Sequence, residues 1–220
     1  MAPGEAYSMF QLQGRDMAGG YTLRKDQRLH GVPPHWMLYI AVENADATAA
    51  RVTKAGGTVL VPPFEVMDIG RMAVFQDPTG AMFSIWQAKK HSGIGASGNN
   101  TLCWADLNTT DPERAARFYS EIFDWQVSKA ASDPSGYLHI KNGEHFIGGM
   151  PPGDRAGAAD MPPHWMLYFA LADVAGGVAN VSQAGGKVMM SATAIPNVGT
   201  MAVVADPQGA VFALFRSTRA

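Results

Sequence analysis

Cysteine is nearly missing from this sequence. Cys103 is the one thiol in 220 residues, so no disulfide can close within the chain, and a reducing, cytoplasmic setting is expected. Charged residues are also scarce, at 16% against 47% apolar, a balance that excludes a chain held open by its own charge. Nor is there an excess of one sign. Seventeen basic side chains stand against 19 acidic ones, for a net charge of −2, so no electrostatic footprint for nucleic acid exists. No apolar run reaches the roughly 18–20 residues that span a bilayer, and Met1–Glu5 lacks the basic-then-hydrophobic order of a secretory signal. No HExxH, CxxC, GxSxG or glycine-rich phosphate loop occurs. What remains is a globular chain long enough to bury a real core.

The strongest positive signal is an internal repeat. Pro33-Pro34-His35-Trp36-Met37-Leu38-Tyr39 recurs as Pro162-Pro163-His164-Trp165-Met166-Leu167-Tyr168, an offset of 164 − 35 = 129. The offset holds without a gap through Ala55-Gly56-Gly57 and Ala184-Gly185-Gly186. It continues to Asp77-Pro78-Thr79-Gly80-Ala81 and Asp206-Pro207-Gln208-Gly209-Ala210. Colinearity of this length marks a duplicated domain.

Each copy reads as strand, helix, strands. His35 to Val42 alternates, with Trp36, Leu38, Ile40 and Val42 on a uniformly apolar face suited to a helix. Asn44 or Asp46 can cap the helix that follows, and Gly56-Gly57 supplies a left-handed stop. In the second copy Asp173 caps a helix that carries Gly176-Gly177 inside it, at about 1 kcal/mol per glycine. Asp-Pro-x-Gly fits a type I turn in both copies. Thr101 to Leu107 is another alternating strand, followed by a helix opened by a Thr110–Glu113 capping box or by Asp111 with Pro112 in the first turn. Ala115, Phe118, Tyr119 and Ile122 make its apolar stripe. Tyr137 to Met150 reads as a hairpin ending on Gly148-Gly149.

These elements predict an α+β protein of tandem βαβββ modules forming curved mixed sheets. The expected division is an N-terminal domain over 1–88, a Gly/Ser/Asn-rich linker over 89–100 and a C-terminal domain over 101–220. The counterpart of Thr101 in the first copy would fall at 101 − 129 = −28, so the N-terminal module is expected to be truncated, lacking its first strand and helix. An incomplete sheet exposes an edge and an apolar face, which makes a homodimer the expected assembly.

The paired modules, the helix Asp111-Pro-Glu-Arg-Ala-Ala-Arg-Phe-Tyr-Ser-Glu-Ile-Phe-Asp-Trp125 and the Asp-Pro-x-Gly strands resemble the vicinal oxygen chelate superfamily of glyoxalase I, bleomycin-resistance proteins and extradiol dioxygenases. The resemblance implies metal ligands at positions occupied here by Trp104, Met166 and Met37 on first strands, and by Ser84 and Ala213 on last strands. Indole and methyl groups offer no lone pair to a hard cation, and a thioether is a soft ligand. No cofactor is therefore expected at these positions, and a divalent metal on non-standard ligands among the histidines stays open as the alternative.

If those positions face inward, as the resemblance implies, their neighbours line a cavity. Trp104 and Asp106 would face inward, with Cys103, Ala105 and Leu107 on the helix side. His164, Met166, Tyr168 and Phe215 complete one wall, and His35, Met37, Tyr39, Ser84 and Trp86 belong to the other copy. Such a lining suits a small aromatic or amphipathic organic molecule. Asp106, His164 and Tyr168 are the candidates for acid–base work. Structural readings stand beside these: Trp, Met and Phe at strand spacing serve cores, and the histidines after Pro-Pro pairs can satisfy loop carbonyls. A metal-independent binding protein, an enzyme of the superfamily (lyase, isomerase, dioxygenase or hydrolase-like) and an assembly scaffold all remain open at this point.

Overall fold

The computed structural model describes residues 7–95, 97–129, 135–154 and 160–218. Position 96 of the expected linker lies outside the described residues. Two compact units form, and each draws on both sequence copies. The first comprises the described parts of Met1–Trp36, Gly93–Cys103 and Leu167–Ala220; the second comprises Met37–Ser92 and Trp104–Met166.

The second unit holds strand β3 (Tyr39–Ala41), helix α2 (Ala45–Lys54) and strands β4 (Thr58–Val66), β5 (Gly70–Gln76) and β6 (Met82–Ala88), paired in the order β3-β6-β5-β4. It also holds most of β7 (Leu102–Asn108), then α3 (Pro112–Phe123), β8 (Gln126–Lys129), β9 (Leu138–Asn142) and β10 (His145–Met150), in the order β7-β10-β9-β8. β3 and β7 run parallel to their neighbours β6 and β10, and the remaining pairs are antiparallel. β3 is shorter than the expected strand over 35–42. Pro62 and Pro63 fall in β4, at the sheet edge, where a missing N–H costs no ladder bond.

In the first unit, β1 (Tyr7–Leu12) and β2 (Arg15–Tyr21) make a two-stranded hairpin, followed by a short helix α1 (Lys25–Leu29) that the sequence pattern does not announce. Most of β11 (His164–Ala170, from Leu167 on), with β12 (Lys187–Ile195), β13 (Gly199–Ala205) and β14 (Val211–Ser217), pairs in the order β12-β13-β14-β11, with α4 (Val174–Gln183) among them in sequence. This is a mixed α+β fold of curved mixed sheets.

Local chemistry explains the helices. Asn44, Asp111 and Asp173 cap α2, α3 and α4, each accepting from a backbone N–H at 3.0 Å. Of the two starts open for α3, the Asp111 cap with Pro112 is the one formed, and Asp124 ends the helix in the left-handed region at φ 58°. The glycines inside α4 have a purpose. A Cβ on Gly176 would meet Asp173 Oδ2 at 2.3 Å, and one on Gly177 would press on Leu171 and Leu214 at 3.2 Å. They give room to the cap and to the close seat of the helix.

The Asp-Pro-x-Gly turns repeat in detail. Asp77 Oδ1 accepts from the backbone of Thr79, Gly80 and Ala81, and Asp206 Oδ1 from Gln208, Gly209 and Ala210. In the second unit Asp77 does more. Its Oδ2 accepts from the Tyr119 hydroxyl at 3.0 Å, and Trp165 Nε1 donates to that same hydroxyl at 3.0 Å. Tyr119 is 0% exposed, and its ring packs against Phe83, Phe123, Trp125 and Trp165. Burial, with the Asp77 carboxylate beside it, pushes the phenol well above its ordinary pKa. Replacing Tyr119 by Phe strands a buried carboxylate oxygen and a buried indole N–H. The expected loss is about 1–3 kcal/mol in urea unfolding, with the slope unchanged. A loss below about 0.5 kcal/mol would show that these bonds contribute nothing net.

Candidate functional site

β7 and β10 approach closely because β10 carries two glycines. A Cβ on Gly148 would lie 2.1 Å from the Ala105 carbonyl oxygen, and one on Gly149 would lie 2.1 Å from the Tyr137 hydroxyl. The register places Asp106, Gly149 and His139 in one row across β7, β10 and β9. The missing side chain of Gly149 leaves the space that the Tyr137 phenol uses to reach Asp106.

A polar trio results. Trp104 Nε1 donates to Asp106 Oδ1 and to the Tyr137 hydroxyl, each at 2.9 Å, and the Tyr137 hydroxyl donates in turn to Asp106 Oδ1. Asp106 is only 6% exposed, so its charge is carried by these donors rather than by water. The His139 ring stands edge-on to Trp104, Tyr137 and Phe146, at 6.5, 5.0 and 5.6 Å between centroids. Its Nδ1 is buried and has no hydrogen-bond partner among the described residues. Trp104, Tyr137 and His139 are half-buried, so the site is a ring-lined sheet face over a fixed carboxylate. Tyr137 is not among the candidates that the sequence suggests. The available signal is the glycine pair in a strand, which marks a close approach.

His164 and His35 use Nδ1 to donate to the carbonyls of Pro162 and Pro33, at 2.9 and 2.8 Å. His164 Nε2 lies 3.5 Å from Asn108 Nδ2, while His35 is exposed. Met166 and Met37 are half-buried, and Tyr39 is 46% exposed. In the first unit Tyr168 packs edge-on to Phe215 at 6.3 Å. Phe215 lies over Gly199 as Trp86, in the second unit, lies over Gly70, and Trp86 Nε1 donates to the His91 carbonyl at 2.8 Å. Both aromatic rings fill the space above a partner strand's glycine.

Two expectations change here. Ser84 does not open onto a cavity; it is 0% exposed, and its hydroxyl has no partner among the described residues. Cys103 does not pack under a helix. It is exposed as a residue, with Sγ donating to the Tyr168 carbonyl at 3.3 Å, because the helix-side alternation of β7 begins only at Ala105. Concavities of about 320 and 380 Å³ are lined by none of the trio's own side chains. One is lined by Pro78, Arg114, Phe118 and their neighbours, the other by residues flanking Tyr137, among them Lys129, Ser135, Gly136 and Leu138.

The donor set can be tested against a divalent cation. Trp104 spends its N–H on its neighbours, Ser84 is sealed, Ala213 is a buried methyl and Met166 a thioether. Among the described residues no three His, Cys, Asp or Glu side chains gather in a way that would hold a metal. These residues do not fit a hard metal ion at the positions the resemblance implies. Among the described residues no helix is long and apolar enough to cross a membrane.

Paired βαβββ-type modules with a chemistry-bearing sheet face define a class of proteins, and comparison with known proteins places the chain within it. A sequence profile for the Glyoxalase/Bleomycin resistance protein/Dioxygenase superfamily matches residues 6–85 and 101–214, and the chain belongs to that family. It is 36% identical over 215 residues to the Mycobacterium tuberculosis protein named "Putative glyoxylase CFP32", covering 97% of this chain and 81% of that one. It is 33% identical over 190 residues to the anthracycline biosynthesis protein DauV of Streptomyces sp. strain C5, covering 84% of this chain and 66% of that one. Among solved structures, the Mn(II)-bound glyoxalase of Novosphingobium aromaticivorans shares the fold at TM-score 0.58 and 16% identity. This chain is covered to 81% and spans 61% of that protein. The 2,3-dioxygenase LapB of Pseudomonas sp. KL28 shares the fold at TM-score 0.56 and 17% identity, covering 81% of this chain and 69% of that one.

The thiol offers a direct check on local geometry. Burial of the sulfur pushes the Cys103 thiol up to about 11. At pH 8 its labelling by a disulfide reagent is expected to run more than tenfold slower than that of a free model thiol, and to accelerate with each pH step through 10. Labelling at the model thiol's rate would contradict the Tyr168 contact.

Proposed function

We propose that the second unit binds a small, planar aromatic or amphipathic organic molecule without a metal, on the face formed by Trp104, Asp106, Tyr137 and His139. One observation carries this reading. The strand position at which the resemblance implies a metal ligand holds an indole tied to a carboxylate and a phenol. Half-buried rings give stacking area at low entropic cost, and the buried Asp106 carboxylate holds Trp104 and Tyr137 in place. The relatedness to an anthracycline biosynthesis protein supports a flat, fused-ring ligand class.

A second reading rests on the Tyr137–Asp106 hydrogen bond. A phenol donating to a buried carboxylate can relay a proton, with Asp106 as base and His164, whose Nε2 faces the Asn108 amide at 3.5 Å, as a further acid–base candidate.

The test is a thermal-shift screen of the full chain in EDTA against anthraquinones, catechols and thiol conjugates. At least one class is expected to give a saturable rise, equivalent to about 2.7 kcal/mol at 100 times its Kd. His139→Ala and Trp104→Leu are expected to weaken that response at least tenfold. Silence across the panel, or a response that requires added divalent metal, would overturn the proposal. If the relay operates, Asp106→Asn is expected to abolish turnover of a bound compound while lowering its affinity less than tenfold, with product formation followed by mass spectrometry.

A further inference from the structure

The duplication allows each face of one unit to be compared with its counterpart at an offset of 129. In the second unit, α3 covers a face made by Val52, Asp77, Phe83 and Trp165. Val52 and Phe83 are 0% exposed and Asp77 is 4% exposed. Phe83 packs on Phe118, Tyr119 and Phe123, and the single hydroxyl of Tyr119 both donates to Asp77 Oδ2 and accepts from Trp165 Nε1.

The counterparts in the first unit are Val181, Asp206, Phe212 and Trp36. Here the same face is left partly open. Val181, Phe212 and Asp206 are half-buried rather than sealed, and Val178, Val181 and Phe212 form the half-covered margin of a core built on Val174, Ala202, Val204 and Leu214. Trp36 packs its ring edge-on to Phe169 and Phe212, yet its buried Nε1 has no acceptor among the described residues. Asp206 uses Oδ1 for its turn, and its Oδ2 accepts nothing among them. A donor without an acceptor and an acceptor without a donor thus stand at the positions that one phenol serves in the other unit.

We propose that this face of the first unit, centred on Trp36, Asp206, Phe212 and Val181, is a docking site for an amphipathic helix of the α3 kind, one with an aromatic stripe and a single phenol. The stripe would cover Phe212 and Val181, as Phe118 and Tyr119 meet Phe83 and Val52. The phenol would donate to Asp206 Oδ2 and accept from Trp36 Nε1. Charge plays little part, because Arg51, which holds Asp124 and the Glu121 carbonyl in the second unit, has Asn180 as its counterpart.

The experiment uses the full chain and a labelled, end-blocked peptide of sequence Asp111–Trp125, followed by fluorescence anisotropy. Saturable binding of one peptide per chain is expected. A peptide carrying Tyr119→Phe is expected to bind at least about 10-fold more weakly, because it loses a bond to the Asp206 carboxylate as well as one to the Trp36 indole. Trp36→Phe in the protein is expected to weaken the original peptide about 2- to 12-fold, the range for one neutral hydrogen bond, and the Phe peptide far less, since that peptide has no hydroxyl for the indole to reach. Phe212→Lys is expected to abolish binding, with circular dichroism confirming its fold; the Trp36→Phe comparison stands if it does not fold. Absence of binding at millimolar peptide, equal affinity for both peptides, or binding that survives Phe212→Lys would overturn the proposal. So would light scattering that shows a dimer broken by Phe212→Lys and indifferent to peptide, which would assign the face to a second copy of the chain.

Discussion

The hydroxyl of Tyr119 is the point on which the second unit turns. A phenol with no exposure must have both its donor and its acceptor capacity met, or burial costs more than the ring's apolar area returns. Here the two partners come from Asp77, 42 residues before it, and Trp165, 46 residues after it. One hydroxyl thereby ties the end of β5, the face of α3 and the start of β11 to a single geometry. Asp77 divides its labour between oxygens: Oδ1 holds the turn and Oδ2 holds the helix. The turn between β5 and β6 and the seat of α3 cannot vary independently.

Much of this is legible in the sequence because it repeats. The 129-residue offset alone reveals two copies, and the stripe Ala115, Phe118, Tyr119 and Ile122 is buried as its spacing requires. The caps at Asp111 and Asp173 and the turns at Asp77 and Asp206 follow from side chains that reach their own backbone. What escapes the sequence is tertiary. Units that interleave the copies are set by which sheet meets which helix, and no local pattern encodes that choice. Ser84 reads as a lining residue by alternation, but alternation only assigns a face and does not say whether that face is sealed. Tyr137 precedes β9 and meets Asp106 across 31 residues, a contact whose one trace in the sequence is the space left by Gly149.

The two copies also show how one scaffold separates stability from chemistry. Positions that set the fold keep their types: glycine at 70 and 199 beneath a large ring, histidine at 35 and 164 turned back on a proline carbonyl. Of the positions at which the resemblance implies metal ligands, Met37 and Met166 also keep their type, and only the last-strand pair differs. Ser84 stands opposite Ala213 in the repeat, and neither side chain offers a hard cation an open oxygen.

The second unit contains a carboxylate, a phenol and an indole in hydrogen-bonded contact twice over, and the contrast between the two sets bears on function. In the set of Asp77, Tyr119 and Trp165, every member is at most 6% exposed, each polar atom is directed inward, and its work is complete when the chain is folded. In the set of Asp106, Tyr137 and Trp104, only the carboxylate is sealed. The two rings that serve it remain half open, and the indole divides one N–H between two acceptors. Water beside half-exposed partners weakens the bonds that hold the charge of Asp106 relative to those of the sealed set. Under the proposed function, rings fixed in position by a buried carboxylate and still uncovered on one side would serve as a preorganised stacking surface, and preorganisation of this kind lowers the entropic cost of taking up a flat molecule.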